Sequence, residues 1–132
     1  MALLERADAL KSQEFLARFR ISQPTLTSTI KHYKADDSIF IDDAYLIKGV
    51  AGRIFWKLIQ SFAKSGRVDF TNKEIRLDTS LQLPDFKDNL EARLILLRRR
   101  LQDRCNFLTL TQVGRGQFRL DVQRQLALEE QV

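Results

Sequence analysis

Read from the N-terminus, apolar positions first recur at helical spacing. Leu4, Ala7 and Leu10 start a stripe that Phe15, Leu16 and Phe19 continue after Ser12, a residue suited to cap a helix N-terminus. Ser22 can cap a further helix with Pro24 in its first turn and Leu26, Ile30 and Tyr33 as its buried side. The spacing predicts a helical unit of three short helices over residues 1–36. The pattern then changes. Ser38 to Ile41 and Ala44 to Lys48 are rich in β-formers and flank Asp42-Asp43, which predicts a β-hairpin. Ile54, Phe55, Leu58, Ile59 and Phe62 return to helical spacing over 53–64, with Trp56 at the margin and Gly66 as terminator.

Two helix starts follow. Thr71 and Glu74 in TNKE have capping-box spacing, in which the threonine oxygen and glutamate carboxylate each satisfy an otherwise unpaired backbone N–H. Asp88 and Glu91 repeat an acidic start for LEARLILLRRRLQDR, residues 90–104. There Leu90, Leu94, Leu97 and Leu101 already supply one buried stripe, so Ile95 and Leu96 are surplus to the helix's own packing. FLTLTQV and QFRLDV alternate as strands around Gly114-Arg115-Gly116, a hairpin with a basic tip. The tail, 123–132, is predicted to add a turn of helix or to fray. The expected architecture is mainly α with small β-sheets.

Charge sharpens this picture. Between Arg93 and Arg119 lie seven arginines and one acid, Asp103, a surplus of six positive charges, while the rest of the chain is close to neutral. So concentrated a field selects polyanions, and nucleic acid is the commonest. Hydrophobic residues at 44% and charged residues at 30% suit a globular protein, and no apolar run approaches the ~20 residues of a membrane span, so a cytoplasmic location is expected. Cys105, the single cysteine, allows no internal disulfide and is expected to pack. Asp36, Asp37, Asp42 and Asp43 lack the glycine and terminal glutamate of a calcium loop and read as turn residues. His32, the single histidine, falls at the exposed end of the third helix, and no glycine-rich phosphate loop, nucleophile with a base, or metal-ligand cluster is readable. The expectation is a protein that is not an enzyme and takes no metal or other cofactor.

The order hairpin, helix, capped helix, capped helix, basic hairpin resembles a winged helix-turn-helix, and residues 37–122 form the domain so identified. Within it, from about residue 38, the chain resembles the DNA-binding domain of OmpR/PhoB-type response regulators. Leu90-Glu91-Ala92-Arg93-Leu94, Leu97-Arg98 and Leu101 fall in the register of that family's recognition helix, and Thr111 with Gly114-x-Gly116 in that of its wing. Gln117 separates the second glycine from Phe118, which predicts a bulge or longer tip. Ile95 and Leu96 stand where the family has polar groups. Upstream, FLARFRISQPTLTSTI resembles the helix-turn-helix of bacterial repressors, with Arg20 in place of a turn glycine; the alternative is a three-helix bundle that only caps the winged domain.

The resemblances imply a bacterial or phage transcription regulator whose partner is double-stranded DNA, expected to act as a homodimer. Its DNA contacts would be Gln23, Thr25, Thr27, Ser28 and Lys31 in the first unit and Arg93, Arg99, Arg100, Arg115 and Gln117 in the second. Ile95 and Leu96 would touch a thymine methyl or a second subunit. The alternative is a protein-interaction module that docks a partner through the Leu94–Leu97 apolar face with an arginine rim.

Overall fold

The computed structural model describes residues 26–83 and 90–132. Its described part is mixed α/β: three α-helices and seven strands in two sheets. This overturns the mainly-α expectation and the three-helix unit in particular. The predicted helices before residue 26 lie outside the described residues. The last of them runs into residues that form a strand instead.

That strand is β1, Thr27–Tyr33. Leu26, Ile30 and Tyr33 fit a helical spacing by coincidence, but Ser28, Ile30 and His32 turn inward while their neighbours turn out, the alternation of a strand with one buried face. Threonine, isoleucine and tyrosine also favour extended backbone. β1 pairs antiparallel with β2, Ser38–Ile41, which pairs with β3, Ala44–Ile47. Asp42 and Asp43, at φ 49 and 69, make the two-residue turn of the β2–β3 hairpin, where the sequence places it.

The other neighbour of β1 is β7, Gln125–Gln131, which runs parallel to it from Thr27↔Gln125 to Tyr33↔Gln131. The first sheet is therefore ordered β3-β2-β1-β7. The tail neither frays nor turns helical, because Leu126 and Leu128 are partly buried against the core beside Ser28 and Ile30.

Helix α1, Gly49–Ser65, covers the inner face of this sheet and starts one turn before the predicted Arg53. It ends at Gly66, whose left-handed φ of 72 lets its N–H reach the Phe62 carbonyl. A short strand β4, Asp69–Thr71, leads into α2, Asn72–Leu77, through the predicted capping box, with Thr71 and Glu74 bonded reciprocally. After a 3-10 turn, Thr79–Leu81, the described chain resumes at α3, Leu90–Arg104. The second sheet, ordered β4-β6-β5, adds β5, Leu108–Gly114, and β6, Gln117–Val122. One core joins both sheets. Ile30, Ile39 and Leu46 meet Phe55, Leu58 and Ile59 of α1, then Leu90, Leu97 and Leu101 of α3, then Leu108 and Leu120.

His32 is buried, not at an exposed helix end. Its ring stacks on Trp56, itself buried, at 4.9 Å, while Nδ1 lies 2.9 Å from Glu130 on β7 and Nε2 lies 2.8 Å from Asp37 in the β1–β2 turn. Asp37 also accepts from Arg53 Nε of α1 at 3.0 Å. The histidine thus ties β7, the β1–β2 turn and α1 together.

Candidate nucleic-acid interface

Successive residues of α3 step about 100° around its axis, so the four buried leucines leave two flanks and an outer arc. One flank faces β3. There Arg100 and Arg104 donate to the carbonyls of Leu46, at 3.1 Å, and Tyr45, at 3.2 Å. The opposite flank carries Glu91, Ile95 and Arg98 and faces the β5–β6 hairpin across a cleft of about 160 Å³. Leu94, Leu110 and Phe118 supply the apolar part of its lining, and Asn72, Gln112 and Gln117 the polar part. The outer arc presents Ala92, Leu96, Arg99 and Asp103, all exposed. Ile95 is 45% exposed and Leu96 39%, so the leucine stripe does not absorb them.

The hairpin is held where it can complete this surface. Asn72 N–H, at the start of α2, donates to the Gly116 carbonyl at 2.9 Å, and Phe70 stacks on Phe118 at 6.0 Å. The β5–β6 register shifts between Gln112 and Gly114, a bulge next to the tip, and Gly116 adopts φ 64. Arg115 is exposed at the turn. A second, open groove continues from the cleft past Gln117 and Glu91 to Lys73, Arg76 and Arg115. Helix and hairpin tip thereby border one continuous, mostly basic depression.

The arginines that cluster in sequence do not share one role. Arg119 pairs with Asp69 at 2.8 Å, and Arg100 and Arg104 hold β3. Arg93, Arg98, Arg99 and Arg115 make no hydrogen bond or ion pair among the described residues. Gln117 is exposed beside Arg115. Arg100 is half-buried against β3, which turns its guanidinium away from the outer arc.

The first-unit residues are dispersed. Gln23 and Thr25 lie outside the described residues. Thr27, Ser28 and Lys31 stand on β1, where alternation separates them: Thr27 is exposed, whereas Ser28 is fully buried and accepts from Arg124 at 3.0 Å. Lys31 sits on the outer face of the first sheet with Asp43 at 3.0 Å, and that hydrogen bond raises its pKa above the ordinary lysine value. No shared helical face for Thr27, Ser28 and Lys31 exists.

Arg98, Lys73, Arg76, Asn72 and Gln112 line these grooves but are not among the contacts expected from sequence. Arg98 was legible there, since residues 91, 95 and 98 share one helix flank by spacing alone. The others depend on how α2 and the hairpin dock. Cys105 is partly buried, and burial pushes its thiol pKa up, as suits a packing residue.

No helix among the described residues is long and apolar enough to cross a membrane. No protein-family model matches the chain, no curated protein matches it, and no solved structure matches its fold.

Proposed function

We propose that this chain binds duplex DNA through α3 and the β5–β6 hairpin, in the manner of a winged helix, as a transcription regulator of the cytoplasm. The observation that carries the reading is a set of guanidiniums with no acidic partner among the described residues: Arg98 beside the cleft, Arg115 on the hairpin and Arg99 on the outer arc of α3, next to a groove that also holds Lys73 and Arg76. Guanidiniums kept free of carboxylates are suited to phosphate oxygens. The order of two hairpins and three helices supports the same reading, with β5–β6 as the wing and α3 as the helix that enters the major groove. The three arginines and Lys73 would each neutralise one phosphate, so log K should fall against log salt with a slope of about −4. Anisotropy titrations of a labelled duplex between roughly 50 and 200 mM salt measure it. A flat response removes the proposal.

A second reading, a protein-docking module or dimer interface, is favoured by the exposure of Ile95 and Leu96 inside an arginine rim. Affinity capture of a stoichiometric protein partner by a chain with no affinity for duplex DNA would establish it in place of the first.

A further inference from the structure

We infer that the feature α3 recognises in DNA is the 5-methyl group of thymine, read by Ile95 and Leu96 with Ala92 beside them; this rests on the duplex-DNA reading above. Along the first turns of α3 the exposed or half-exposed positions outside the β3 flank are Glu91, Ala92, Ile95, Leu96, Arg98 and Arg99. Three of these are aliphatic and cannot hydrogen-bond to any base edge. In the major groove the four base pairs present donors, acceptors and one apolar group, the thymine methyl. An aliphatic arc flanked by phosphate-binding arginines is therefore complementary to a groove wall that carries methyls. Charge commits the occupant to a polyanion, since Arg98 and Arg99 border the arc directly and Arg115 stands at the hairpin turn across the cleft.

Packing also prepares the site. Ile95 shares the lining of the cleft with Leu94, Leu110 and Phe118, so one side of it rests on the core while 45% of it stays open. A β-branched side chain seated in this way has little rotamer freedom left to lose on contact. Glu91 remains as a hydrogen-bonding reader, able to accept from cytosine N4. The specificity that follows is for thymines set beside a few such polar contacts, with uracil a poor substitute although its hydrogen-bonding edge is the same.

The test compares labelled alternating duplexes of about 30 base pairs, adenine-thymine against adenine-uracil, by anisotropy at one low salt concentration. They differ only in the methyl. The intact chain should bind the thymine duplex at least about fourfold more tightly, the ~0.8 kcal/mol of one buried carbon converted at RT. Ile95→Ser with Leu96→Ser should bind both duplexes at the level the intact chain shows for uracil. Leu77→Ser, at an aliphatic 68% exposed on α2, should discriminate as the intact chain does. Equal, tight and salt-dependent binding of both duplexes by the intact chain overturns the inference and leaves DNA binding standing. No binding to either removes both. If the double variant keeps the thymine preference while sedimentation shows a dimer becoming a monomer, the face belongs to a second copy and the inference fails. The comparison made with the intact chain alone requires no variant to fold.

Discussion

Replacing Gly52 by alanine tests how closely α1 lies against the β1–β2 turn. A Cβ built at Gly52 falls 2.1 Å from the carbonyl oxygen of Asp37 and 3.2 Å from its carbon, where ordinary contact starts at 3.4 Å. The obstacle is backbone, so no side-chain rotation relieves it. Helix and turn must separate by upward of about 1 Å in a core packed as densely as a crystal. Asp37 sits at φ 60 and its carboxylate joins His32 to Arg53, so the displacement also stretches two charge-assisted contacts at 2.8 and 3.0 Å.

Helix propensity acts in the opposite direction, favouring alanine over glycine by about 1 kcal/mol. Overpacking costs typically ~1–3 kcal/mol, and weakening contacts to a charged group a further ~1.5–3 kcal/mol. The net expectation is a loss of about 1.5–5 kcal/mol. With a urea slope near ~2 kcal/mol per molar, the unfolding midpoint followed by circular dichroism should drop by about 0.8–2.5 M. Gly66→Ala is the control. It meets open space at φ +72, so only the left-handed backbone is penalised, at about 1 kcal/mol. A midpoint for Gly52→Ala equal to or above that of the unaltered chain would mean that propensity alone governs the site, and would refute the close approach of the Asp37 carbonyl.

Three further outcomes are expected. Asp43→Gly should raise the melting temperature by a few degrees, since relief at φ 69 is worth about 1 kcal/mol and the exposed Lys31 pair it deletes contributes less. Arg100→Gln should lower the melting temperature by removing the bond to the Leu46 carbonyl while leaving the salt slope of DNA binding unchanged; Arg115→Gln should do the reverse, lowering the slope by about one unit at constant melting temperature. Asp36 and Asp78 are held below the ordinary carboxylate value of 3.8 chiefly by hydrogen bonds from Ser38 and Ser80. A carboxylate with a depressed folded pKa stabilises above its unfolded value and loses that contribution as pH falls through the folded one. Stability measured by urea titration should therefore decline below 3.8, and Asp78→Asn should flatten part of the decline.

The amino-acid sequence by itself determined whatever is settled within a few residues. The capping box of Thr71 and Glu74, the Asp42-Asp43 turn, the stop at Gly66 and the stripe of Leu90, Leu94, Leu97 and Leu101 follow from contacts one turn long, and each occurs where the pattern places it. The surplus of Ile95 and Leu96 was legible for the same reason, because helical geometry fixes which positions one stripe can bury. Only tertiary structure made Thr27–Tyr33 a strand. Its ladder on one side is Gln125–Gln131, roughly a hundred positions away, and an isolated TSTIKHY carries no record of that partner. The same long-range pairing buried His32 against Glu130 and converted the tail from loose end to β7. It also set the arginines apart. In sequence they are one block of charge, but a guanidinium's role depends on what lies within hydrogen-bonding reach, and the docking of α3 gave Arg100 and Arg104 the carbonyls of β3 while leaving Arg98 and Arg115 to the groove and Arg99 to the outer arc.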